Sequence, residues 1–441
     1  MKKPIIPLDP PVSREAHQSI IVLRLAVDGP SKLFSEAEPL TDALYLGRYG
    51  AFVDKSSAEL PKILEAEDIT SSAISFKALK VKIERGRFFL AITSSGALFA
   101  VIVVDFKGGM STCIDALQEL YYQKLVVRNR ALSSYIRNRL QSHGIECDVS
   151  NDIFSHFLHQ FIHLSEEAKF IDAEESFNVV QKLIYRADLP ARKEFSAIVY
   201  PMELNRRPGS VCALGEYVTV LSNQQQYVEN SLIISAMQVI AALSELAHIR
   251  KSADIMIDNL SKETKERTSW RDREKRVAKF SSELARLNLR MAATVEAPLH
   301  LGLLIPSMRL ERYHLALLEA SQVSARKDNV SALLTRLNSI VASKKAVVTS
   351  LARMSDQISA RAAAITVGLI SVISIPPSIV LAFFGTNTVD IDREASLMEF
   401  AQYGFVYFSV FLAFVLALGI GGLCWSYFSR RFKKFAADLT D

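Results

Sequence analysis

Residues 362–384 and 404–428 form two apolar runs without a single charged side chain, separated by a short acidic segment, near the end of a 441-residue chain. A helix needs roughly 20 apolar residues to cross about 30 Å of hydrocarbon, and both runs exceed that length. The competing reading, a buried helix of a soluble protein, has to account for two such runs in succession. Two membrane-spanning helices are therefore expected.

The flanks set their orientation. Arg353 and Arg361 precede the first run, and Arg430, Arg431, Lys433 and Lys434 follow the second, whereas Asp390, Asp392, Glu394 and Glu399 lie between them against a lone Arg393. Positive residues stay on the cytoplasmic side, which predicts a multi-pass protein of the inner (plasma) membrane with both termini cytoplasmic and an external acidic loop. Residues 1–11 are proline-rich and lack the apolar core of a signal peptide. The formal net charge is +5, and much of it sits beside the spans, where it meets anionic lipid heads; no nucleic-acid partner is expected. Cys113, Cys147, Cys212 and Cys424 are scattered without a CxxC pair, which fits reduced thiols.

Ahead of the spans the chain reads as an α/β part followed by a helical part. Strands are expected over 20–27, 81–84, 88–93 and 98–105, the last two joined by a turn at Ser94-Ser95-Gly96. Helices follow over 112–142, 152–168 and 175–187, then strand character at 195–200 and 211–221. Beyond residue 225 the pattern is helical, over 226–260, 262–295 and a very long segment starting near Met308.

That last helix carries Val330, Leu333, Leu337, Ile340, Val347, Leu351, Met354, Ile358 and Ile365 at three-four spacing, interrupted in charge only by Lys344 and Arg361. No proline or glycine breaks residues 307–367, so it is expected to run unbroken into the first span, on the order of 100 Å long. A rod of that length wants partners, from other copies or from the two preceding helices.

Within the first span Ser371, Ser374 and Ser378 recur on one face, a stripe that suits either a hydrated pore or close helix packing in lipid. Pro376-Pro377 adds an expected kink. The span closes with Phe384-Gly385-Thr386-Asn387. A long cytoplasmic domain, a stalk helix continuous with the first of two C-terminal spans, Gly385 and Asn387 after that span, and a basic tail together resemble the CorA superfamily of metal-ion channels. The resemblance is architectural over about residues 190–441 and residue-specific at Gly385 and Asn387 alone; Thr386 stands where the family signature has methionine.

The resemblance implies a funnel-shaped homopentamer that moves divalent cations, magnesium or zinc among them, with no other cofactor. Its parts would be an α/β cytoplasmic domain and candidate sensor (1–225), a helical stalk (226–361), a pore-lining helix (362–384), an external loop (385–403), a second span (404–428) and a basic tail (429–441). Gly385 would let the chain leave the helix in a left-handed conformation, and Asn387 would offer a ring of amide oxygens to a hydrated ion, flanked by Asp390, Asp392 and Glu394. Arg361, Val367 and Ile375 are the candidate gate; Arg361 faces the pore or snorkels to lipid phosphate.

His156, His159 and His163 have a spacing that on a helix puts three imidazoles on one face, a weak metal candidate beside structural histidines. No nucleophile elbow, phosphate-binding loop or dinucleotide fingerprint is present, so an enzyme is not expected. Three readings of function stand: a gated divalent-cation channel or transporter, a ligand-gated effector channel answering a signalling nucleotide in type III CRISPR defence, and a non-conducting membrane scaffold.

Overall fold

The computed structural model describes residues 15–40, 53, 60–147, 152–165, 173–188, 197–207, 209–224, 226–265, 270–296 and 307–386, with scattered positions between 404 and 426. In chain order the elements are β1 (His17–Asp28), α1 (Ser31–Glu36), β2 (Glu38–Pro39), β3 (Lys62–Ile69), β4 (Ile74–Phe76), β5 (Ile83–Ile92) and β6 (Ala97–Phe106). Next come α2 (Met110–Tyr121), β7 (Leu125–Val127), β8 (Arg130–Ala131), α3 (Leu132–Ser142), β9 (Phe154–Leu164), α4 (Ala173–Tyr185), β10 (Val211–Leu214) and β11 (Val218–Ser222). The helical part holds α5 (Gln226–Lys265), α6 (Trp270–Arg290) with a π-helical turn at Met291–Glu296, α7 (Met308–Ala320) and α8 (Val323–Thr386). Two compact units emerge, Met1–Ile257 with Glu283–Leu337, and Asp258–Ser282 with Asn338–Asp441.

An eight-stranded sheet in the order β10-β11-β9-β1-β6-β5-β3-β2 organises the first unit. All neighbours pair antiparallel except β9 and β11, which run parallel and need the crossover that α4 supplies. Central strands are buried on both faces: nine consecutive residues of β1 and all ten of β6 are inaccessible, so these strands read as apolar runs rather than alternations. Ile21, Leu23 and Leu25 join Leu117, Leu120, Ile136 and Val180 in the core under α2, α3 and α4. The opposite face meets α7, where the Tyr313 hydroxyl lies 3.0 Å from Thr219 Oγ1. The β5–β6 turn forms at Ser94-Ser95-Gly96, with Gly96 at φ +84° against the backbone of Gly29.

Several sequence expectations need correction. The helix expected over 112–142 is two helices, α2 and α3, split by the short β7–β8 hairpin, where Gln123, Arg128 and Asn129 adopt positive φ without a glycine to announce the turns. The helix expected over 152–168 is strand β9, because a strand buried on both sides carries apolar residues at consecutive positions, and Phe154, Phe157, Leu158, Phe161 and Ile162 then mimic a helical period. The strand over 211–221 is the β10–β11 hairpin, the strands over 81–84 and 88–93 are one strand, β5, and β3 had no counterpart.

The unbroken helix from Met308 is interrupted: Ser321 ends α7 and Gln322, at φ +53°, turns the chain before α8 begins. A left-handed residue at a helix end is usually glycine; a glutamine there costs roughly 1 kcal/mol and leaves no sequence trace. Among the described residues one stretch, Asn230–Lys262, is long and apolar enough to cross a membrane, but 67% of its most apolar window is buried inside the molecule. A shorter apolar helical stretch, Tyr407–Leu416, lies within the second expected span.

The β10–β11 turn is crowded. A Cβ on Gly215 would sit 2.4 Å from Ile184 Cγ2, and Gly215 N donates to Val218 O at 2.8 Å to close the turn. Gly215→Ala should therefore destabilise the first unit by about 1–3 kcal/mol in chemical denaturation, and Ile184→Ala in the same chain should recover part of that loss.

Candidate functional site

At 64 residues α8 is on the order of 100 Å long, and its side chains divide it lengthwise. Val330, Leu334, Leu337, Val341 and Val348 form a buried edge at four-three spacing. Along it Lys344 reaches the Leu260 carbonyl at 3.0 Å, near the end of α5. A second edge, Ile340, Val347, Met354 and Ile358, stays exposed, with Val347 at 56%. Of the stripe expected from sequence, Val330 and Leu337 belong to the buried edge while Ile340, Val347, Met354 and Ile358 stay exposed; Leu334, Val341 and Val348, which complete the buried edge, lie outside that stripe.

The candidate gate and pore residues lie further along the same helix. Arg361 is exposed, as are Val367 (63%) and Ile375 (53%). Ser371, Ser374 and Ser378 are exposed together on one face, and each hydroxyl donates back into the helix: Ser371 to Val367 O at 2.9 Å, Ser374 to Ser371 O at 2.9 Å, and Ser378 to Ser374 O at 2.7 Å. The helix continues through Pro376 and Pro377. Gly385 does not leave it in a left-handed turn, as expected from sequence, but stays helical, with Thr386 the last helical residue. Asn387, Asp390, Asp392 and Glu394 lie outside the described residues.

The histidine triad does not converge. Strand residues advance about 3.3 Å each, so His159 and His163 on β9 stand roughly 13 Å apart, and His156 is exposed at the start of the strand. Among the described residues no group of three histidine, cysteine, aspartate or glutamate side chains is placed to hold a metal. His159 is instead a structural link. Its Nε2 lies 2.7 Å from Thr219 Oγ1, its ring also bonds the Glu216 backbone, and Thr219 passes the contact to Tyr313 on α7. Burial pushes the His159 pKa down to about 4 and that of His163 to about 3, so both are neutral at physiological pH.

Around this link two arginines hold the β10–β11 turn. The Arg186 guanidinium lies 3.9 Å from the Tyr121 ring and 5.9 Å from Tyr217, and donates to Gln160 Oε1 at 3.0 Å. Arg326, in the first turns of α8, pairs with Glu216 at 2.7 Å. Sequence reasoning missed this cluster because its members come from α2, α4, β9, β11 and α8, and no motif links them; arginine among tyrosines was the only trace. No protein-family model, curated protein or solved structure matches this chain, so the functional reading rests on the residues themselves.

Both histidines have folded pKa values below the ordinary 6.5, so the unfolded chain binds more protons between about pH 6.5 and pH 4. Stability should be complete above pH 6.5 and fall as the pH drops through that window, by roughly 3 kcal/mol for His159 alone. Urea titrations from pH 7.5 to pH 4 should show the decline, and His159→Gln should make it shallower, leaving the part due to His163.

Proposed function

We propose that the protein is a membrane-embedded cation channel or transporter resembling the CorA type, assembled as a homopentamer around α8 and controlled by its cytoplasmic α/β unit. The observation that carries this reading is the continuity of α8. One helix runs from a stalk with an exposed apolar edge into the charge-free stretch 362–384 without a break. Exposed apolar side chains there and at Phe405, Phe408, Phe411 and Leu423 have no aqueous justification, and a bilayer would cover them. The open seam at Ile340, Val347 and Met354 continues that demand into the stalk, where copies of the same chain would meet it.

Divalent cations, magnesium or zinc, are the proposed permeant ions. Asn387 would face them at the external mouth with neutral oxygens, and Asp390, Asp392 and Glu394 would concentrate them there. Arg361 would act as an electrostatic gate where the stalk enters the membrane, since a ring of like charges opposes a divalent ion. Electrical recording of the reconstituted full chain in a planar bilayer tests the reading directly: cation-selective currents are expected, and a silent bilayer with correctly inserted protein would overturn a constitutively available cation path and leave the ligand-gated effector and the scaffold.

Arg361→Ala should raise the basal cation leak several-fold in liposome flux, whereas Arg361→Lys should stay closed. Asn387→Ala should lower flux without changing the oligomer mass in mild detergent, since in the proposed assembly Asn387 would serve the ion and not the stalk contacts.

A further inference from the structure

Behind the α7–α8 elbow lies a cavity of about 100 Å³. Ala236, Val239, Ile240 and Leu243 of α5 and Leu317 of α7 line it, with β9 between His156 and His159 along one side. Glu216 and Arg326 border it as a charged pair, each about two-fifths exposed.

The lining decides what fits. Liquid water takes about 30 Å³ per molecule, so the space would hold roughly three waters or one small ring. Each water would need two to four polar partners. His159 cannot serve as one, because its ring is already bonded to Thr219 and to the Glu216 backbone. Among the described lining residues that leaves the Ser321 hydroxyl as the deep polar group. A cavity of this size with apolar walls favours a compact apolar body, and its charged border favours one hydrogen-bonding group on that body.

We propose that this cavity is a binding site for a small single-ring molecule bearing one hydroxyl or similar polar group, and that its occupancy fixes the elbow. The ring would pack against Val239, Ile240 and Leu317, and its polar group would reach Glu216 or Arg326. Elbow geometry makes the site consequential. α7 is held to the sheet through Tyr313 and Thr219 and to α5 through the Ser235–His314 contact of 2.7 Å. α8 starts afresh after the left-handed Gln322, and its first turns are held by the buried Val323, Val330, Leu334 and Leu337 together with the partly exposed Arg326–Glu216 pair. A ligand touching Leu317 on one side of the break and Arg326 on the other would bridge the break and hold the two helix ends to each other. Its effect on conduction rests on the channel reading; its binding does not.

Phenol is the probe, with benzene as the comparison, titrated calorimetrically into the full chain in detergent while amide exchange is followed over residues 317–326. Saturable phenol binding is expected, tighter than benzene, with exchange at the elbow slowed several-fold. Val239→Phe, which fills the cavity, should abolish both effects, and the milder Ala236→Val should weaken them if the phenylalanine variant misfolds. Equal binding to parent and cavity-filled chains, or none to the parent, would overturn the site and leave a space for water only. Saturable binding that leaves elbow exchange unchanged would overturn the control of the elbow. Phenol-dependent flux in liposomes, absent in Val239→Phe, would support coupling to conduction, while silent liposomes with intact binding would sink the channel reading alone.

Discussion

A helix of 64 residues has more side than one chain can cover. Nucleation and propensity alone do not hold such a rod straight in water; each stretch needs a packed neighbour. The chain answers for part of the length, by burying the edge from Val330 to Val348. What it leaves bare is organised: a heptad-spaced seam at Ile340, Val347 and Met354, then an apolar stretch long enough for a bilayer. Every functional proposal made for α8 follows from that unmet demand.

The first unit meets the opposite requirement, since its sheet is buried on both faces and cannot tolerate an unsatisfied polar group between them. His159, Thr219 and Tyr313 satisfy one another across the layer, so the polar atoms that cost most in isolation become a fixed strut from β9 to α7. The helix breaks after Ser321, where Gln322 takes a positive φ. Two neighbouring helices are thus held differently, α7 through buried hydrogen bonds and α8 through its buried apolar edge and an exposed ion pair.

How much of this could be read beforehand depended on whether the determining contact was local. The β5–β6 turn was legible because Gly96 supplies a positive φ, and α5 because thirty-odd apolar-periodic residues leave little alternative. β9 was misread because burial on both faces erases the alternation that marks a strand, and its histidines then fell into a false helical register. The α7–α8 elbow was invisible for another reason: Gln322 takes a conformation that glutamine rarely takes, imposed by what surrounds it. The serine face at 371, 374 and 378 was legible as a stripe, but the direction of its hydrogen bonds was not.

That direction fixes the chemistry of the face. A hydroxyl that has given its proton to its own helix keeps only lone pairs for whatever lies outside. Ser371, Ser374 and Ser378 have each done so, which turns three nominally ambivalent groups into a column of acceptors about one helical turn apart. Such a column can take over part of the hydration shell of a positive ion and has no proton to offer a negative one. In the channel proposed above, preference for the sign of charge would then come from the helix's own backbone, without a single ionised side chain.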